Sequence, residues 1–126
     1  MPTADHSTVA SEYQRGLALA RGGEWFEAHE AFELAWRAAN DGERDFFQGL
    51  VHVVVSAYQA GRGKPVAAAR QREKALRRLA PFSPIHRGLD VERVLAALQR
   101  AETDFRHQLV ERRGEPPAAV EEEQEP

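Results

Sequence analysis

Between Arg44 and Ala60 the chain is apolar around most of a helical circumference, with Phe46, Phe47, Leu50, Val51, Val53, Val54, Val55, Ala57 and Tyr58 leaving no broad polar face. Such a segment has to be surrounded, so the rest of the chain must pack about it. The valines around His52 favour a strand by propensity. No second strand candidate exists to pair with them, and a lone strand leaves its backbone groups unsatisfied. The spacing therefore predicts a central helix from about Arg44 to Ala60, with Asp41 as its cap.

The segments on either side carry one apolar face each. Val9, Tyr13, Gly16, Leu17 and Ala20 share a face between Ser7 and Arg21, and Gly22-Gly23 ends that first helix. A second helix opens near Glu24 and runs to Asn40, where Asn40-Asp41-Gly42 breaks it. Gly61-Arg62-Gly63 turns the chain into a fourth helix, Pro65 to Ala80, with proline in the first turn, where it is tolerated. Asp90 caps a fifth, whose Val91, Val94, Leu95, Leu98, Phe105 and Leu109 form one stripe ending near Gly114. The predicted fold class is all-α: a compact bundle of about five helices built from antiparallel helical hairpins. Residues 1–113 are expected to form a single helical domain and 114–126, rich in proline and glutamate, a disordered acidic tail.

Of the 126 residues 42% are hydrophobic, many of them alanine, so a few large side chains (Trp25, Phe32, Trp36, Phe47, Tyr58) are expected to anchor a thin core. The net charge of −3 lacks the basic excess of a nucleic-acid binder or of a protein drawn to anionic membranes. The basic residues of the fourth helix, Arg70, Arg72, Lys74, Arg77 and Arg78, read as a solvated face, and His86 and His107 as surface residues. There is no cysteine, hence no disulfide, thiolate metal site or thiol nucleophile. Met1-Pro2-Thr3-Ala4-Asp5 has neither the basic start nor the apolar run of a secretory signal, and no apolar stretch is long enough to span a bilayer. A cytoplasmic protein is expected.

Chemistry-bearing residues concentrate in the second and third helices. Around the second, Trp25, Ala28, Phe32, Ala35 and Trp36 make an apolar arc, with His29 and Glu33 at its edge and Phe26 and Glu30 just beyond. Around the third, Gln48, His52, Ser56 and Gln59 make one narrow polar stripe. If the two stripes face each other, His29, Glu33 and His52 would suit a divalent metal such as zinc, iron or manganese, since imidazole and carboxylate are their usual ligands and His29 and Glu33 stand four residues apart. The same groups would suit proton transfer, a carboxylate tuning an imidazole. A third reading is structural: a hydrogen-bonded network of His29, Glu33 and Gln48 that fixes helix register.

Gly23, Trp25, Ala28, Phe32 and Ala35 echo tetratricopeptide spacing, but the second echo, at Ala68, is too distant for a 34-residue period. Phe26-Glu27-Ala28-His29-Glu30 with Glu33 and Trp36, then Phe46-Phe47-Gln48-Gly49-Leu50, a glycine-rich turn and Leu89-Asp90, taken in that order, resemble the small helical bacterial and archaeal proteins of the domain of unknown function 309 family over about residues 14 to 100. The chain departs from that pattern at His52, where the family carries glutamine, and at Gly61-Arg62-Gly63 in place of Gly-Asn. The resemblance implies the helical fold and the polar stripe, without an activity. With no cysteine, no glycine-rich phosphate loop and no serine in a nucleophile context, the expected function is non-catalytic binding of a protein or a small molecule at His29, Glu30, Glu33, Trp36, Gln48 and His52. The alternative is a metal-dependent or acid–base enzyme using His29, Glu33 and His52.

Overall fold

The computed structural model describes residues 5–112, and the expected acidic tail lies outside them. Helices α1 (His6–Arg21), α2 (Trp25–Ala38), α3 (Asp41–Gly61) and α4 (Pro65–Leu79) follow one another through connections of two or three residues. Links that short make each helix turn back along its predecessor, and α1 packs on α2, α2 on α3 and, most extensively, α3 on α4. A 3₁₀ turn (Ala80–Phe82) leads into a small antiparallel hairpin, β1 (Ile85–His86) and β2 (Leu89–Asp90), and then α5 (Val91–Gln99). The fold is all-α apart from that hairpin. No helix among the described residues is long and apolar enough to cross a membrane.

The helix starts follow from local chemistry. Asp5 caps α1 by accepting from the Thr8 N–H at 3.1 Å, and Asp90 caps α5 by accepting from the Arg93 N–H at 3.0 Å. At α3 the cap position is Asn40, without a side-chain cap bond; Asp41 is the first helical residue, where its charge favours the helix N-terminus. The helix ends are more uneven. Gly23 and Gly63 close α1 and α3 in the left-handed region (φ 79° and 75°), as their sequence position implied.

Helix α5 ends the same way without a glycine. Ala101 takes φ 58°, its N–H donates to the Leu98 carbonyl at 3.0 Å, and the Glu102 N–H donates to Ala97 at 3.1 Å. The expected continuation to Gly114 is therefore replaced by an irregular segment. Phe105 and Leu109 are nevertheless fully buried, because that segment doubles back along the hairpin: the Asp90 N–H donates to Val110 at 3.0 Å and the Arg112 N–H to Gly88 at 2.8 Å.

Phe32, Phe46, Phe47, Leu50, Val53 and Val54 fill the centre, with Leu17, Leu79, Val91, Val94 and Phe105 closing around them. Trp25, Trp36 and Tyr58, expected as core anchors, are half-buried at the rim. The core closes tightly because glycines stand where helices meet. A Cβ on Gly49 would lie 2.6 Å from Leu79 Cγ and Cδ2, and one on Gly16 would lie 2.4 Å from the Phe32 ring.

Two substitutions test this packing. Gly49→Ala gains about 0.5–1 kcal/mol of helix propensity but overpacks against a fully buried leucine at a cost of about 1–3 kcal/mol. Thermal unfolding should therefore show a lower Tm; an unchanged or raised Tm would mean that Leu79 can withdraw. Ala101→Gly removes left-handed strain of about 1–2 kcal/mol, part of which the more flexible unfolded chain offsets, and should raise Tm by a few degrees.

Candidate functional site

Helix α2 buries Ala28, Ala31, Phe32 and Ala35, which leaves His29 and Glu33 along the margin of the buried face and Glu30 exposed. His29 Nε2 stands 3.6 Å from Glu33 Oε2, beyond direct hydrogen-bond length, and the other Glu33 oxygen is 3.6 Å from Arg37 Nη2. Trp36 lies under the Arg44 guanidinium, 5.0 Å from ring centre to Cζ.

Beside His29 a cavity of about 200 Å³ opens between α2 and α3, lined by Trp25, Phe26, His29, Val55, Tyr58 and Gln59. Two of its lining residues each hold a buried polar atom without a hydrogen-bond partner, His29 Nδ1 and Gln59 Oε1. Phe26 is 52% exposed, and its ring lies 5.6 Å from that of His29 and 5.8 Å from that of Tyr58.

The polar stripe of α3 divides among different partners. Ser56, fully buried, donates its hydroxyl to the Val53 carbonyl of its own helix at 2.7 Å. His52 turns to α4, its Nδ1 2.7 Å from Gln71 Oε1. Burial holds the His52 pKa below the ordinary histidine value, and the charges of Lys74, Arg78 and Arg77 push the same way against the hydrogen bond to Gln71. The ring is thus neutral near pH 7, with Nδ1–H donating to Gln71. Gln48 is half-buried on the same helix. Among the described residues no group of three or more histidine, aspartate or glutamate side chains could hold a metal ion, so His29, Glu33 and His52 do not form one.

A second cluster went unread in the sequence. His86, expected at the surface, is half-buried, its ring 4.6 Å from Phe46 and 4.7 Å from Phe82, and its Nε2–H faces both Glu43 oxygens at 2.9 and 3.0 Å. Arg87 Nε donates to Glu43 at 2.7 Å while its guanidinium stacks 5.2 Å from the Phe47 ring centre. The buried Tyr13 hydroxyl donates to the Arg87 carbonyl at 3.2 Å. Arg87 and Gly88, both at positive φ, turn the hairpin, and an Arg-Gly pair is a weak turn signal beside Asn-Gly. These contacts tie the hairpin to α1 and α3.

Residues 13–71 match a family model described as Domain of unknown function (DUF309). That stretch belongs to the DUF309 family. The DUF309 match takes in the whole cavity and the His52–Gln71 pair but excludes His86, Arg87 and the Leu89-Asp90 pair, so the shared pattern is narrower than the 14–100 span expected from motifs. No curated protein and no solved structure matches the chain.

Burial raises the Glu43 pKa, but the hydrogen bonds and positive charges of Arg87 and His86 outweigh it and hold the carboxyl below the usual glutamate range. A carboxyl depressed in the folded state adds stability above its unfolded value of about 4.3 and loses it as pH falls through the folded value. Glu43→Gln should therefore lower Tm at pH 7 and flatten the fall of Tm between about pH 5 and 3. A parallel pH profile in the variant would show that the cluster does not couple to folding.

Proposed function

We propose that this chain is a non-catalytic, cytoplasmic binding domain, a single folded unit over residues 1–113, and that it holds its ligand in the cavity between α2 and α3. One observation carries the reading: two buried polar atoms, His29 Nδ1 and Gln59 Oε1, lack partners beside an otherwise aromatic and aliphatic cavity. Each such group costs about 1–3 kcal/mol when left unmade, and a ligand that hydrogen-bonds to them would recover it. Size narrows the choice. The roughly 200 Å³ cavity is smaller than the about 300–1,000 Å³ of drug-sized sites and a little larger than the about 150 Å³ void that takes up benzene. The occupant is a ring-sized molecule or a single side chain of a partner.

The carboxylate of Glu33 beside the His29 imidazole favours a second reading, acid–base chemistry on a bound substrate, in which Glu33 orients the ring and the other nitrogen exchanges the proton. The missing third group weighs against it.

Val55→Phe, which fills the cavity from α3, separates a binding site from a packing defect. Ring-sized compounds should shift the Trp25 indole and Gln59 amide signals of the wild-type protein in two-dimensional NMR, and those shifts should vanish in the variant. A wild-type protein that takes up no compound, together with a Val55→Phe variant of raised Tm, would reduce the cavity to imperfect packing and overturn the proposal.

A further inference from the structure

We infer that the C-terminal segment of this chain docks on its own α4, with Ala118-Ala119-Val120 in the groove between α4 and α5 and Glu121-Glu122-Glu123 against the arginines beside it. The partners of the arginines show where carboxylates are missing. Elsewhere in the described residues most arginines pair with aspartate or glutamate. Arg21 donates to the Leu109 carbonyl and Arg93 to Gln108, while Arg44 and Arg62 stand over the rings of Trp36 and Tyr58. Arg70, Arg72 and Arg77 have no ion pair, side-chain hydrogen bond or aromatic ring among the described residues, and all three are on α4.

Two of the three, Arg70 and Arg72, line a groove of about 560 Å³ whose apolar walls are Val66, Ala69 and Leu76 of α4 with Leu98 and Ala101 at the end of α5. Val66 is 65% exposed, more than the other exposed large apolar side chains described, Phe26 and Leu34. Val66, Ala69, Arg70 and Glu73 follow one another at spacings of three and four residues or less, so the groove runs along one face of the helix. Glu73 is the one carboxylate on its walls. The surface is thus apolar with a basic margin, and it suits a short apolar segment that continues into acid.

The end of the chain has that order. Ala118-Ala119-Val120 precedes Glu121-Glu122-Glu123, and residues 114–126 hold five of the 20 acidic residues and none of the 17 basic ones, so residues 1–113 stand at +2 where the whole chain is −3. The path is short enough. Arg112, the last described residue, is held at the start of α5 by Asp90 and Glu92, and the groove lies at the other end of that helix. Nine residues separate Glu92 from Ala101, a rise of about 14 Å at about 1.5 Å each. Eight steps separate Arg112 from Val120, and extended chain covers about 26 Å in them at about 3.3 Å each. A tether of that length holds the acidic segment at a local concentration on the order of millimolar, so ion pairs that are individually weak suffice to seat it.

The chain has no cysteine, so Gln124→Cys creates a single attachment point for a nitroxide label on the full chain. In two-dimensional NMR at low salt the label should broaden the signals of Val66, Ala69 and Leu98 strongly and those of the exposed Leu34 on α2 little. Raising the salt from about 0.01 to 1 M, which shortens the screening length from about 30 to 3 Å, should reduce that broadening at least about twofold. Replacing Glu121, Glu122 and Glu123 by lysine should do the same at low salt, as should Val66→Asp, which alters a side chain already in solvent and leaves the fold intact. Broadening that is absent, uniform or centred elsewhere would overturn the assignment. Broadening at the groove that neither salt nor charge reversal changes would also overturn it, since the glutamates would then play no part. Broadening of an isotope-labelled chain by a separate nitroxide-labelled copy, without any within one chain, would overturn it in favour of a second molecule as the occupant.

Discussion

The contact between Gly49 and Leu79 governs the arrangement. Helix α3 is apolar nearly all round and has to be covered on every side, and α4 covers it closely because a fully buried leucine occupies the space a side chain at position 49 would take. Gly16 opens the same kind of space for the Phe32 ring, drawing α1 onto α2. With both pairs seated, Phe46 and Phe47 meet Tyr13 edge to face, and the aromatic centre has one geometry.

A central helix that also carries polar residues must settle each of them separately. Ser56 is answered within its own helix and His52 by Gln71 across the α3–α4 interface. Gln59, near the end of α3, has no such neighbour, and it shares a cavity with the His29 ring, whose Nδ1 is equally unanswered. The imbalance is local, and it gathers where the half-buried Trp25 and Tyr58 and the more exposed Phe26 line a gap between α2 and α3.

Much of this was legible in the chain. Helices α1 to α4 were announced by apolar periodicity and by Gly22-Gly23, Gly61-Arg62-Gly63 and Pro65, and Asp90 by its place before an apolar run. The end of α5 was not, because Ala101 takes the left-handed conformation that a glycine would have advertised. The hairpin was hidden by its two-residue strands and by an arginine in its turn. At the site, helical spacing placed His29 and Glu33 at the edge of the buried face. It could not show that His52 and Gln59, on one stripe, serve different helices, since that depends on how α3 crosses its neighbours. Tyr58 and Phe26 were legible as aromatics and not as cavity walls, a distinction set by backbone separation.

The doubling-back of the chain after α5 bears on where the unit of folding lies relative to the unit of recognition. The DUF309 match begins inside α1 and stops inside α4. Leu79, the partner of Gly49, falls beyond it, as do Val91, Val94, Phe105 and Leu109, which complete the core. The matched segment contains every residue that lines the cavity between α2 and α3, while the core that gives the segment its shape closes only with residues outside the match.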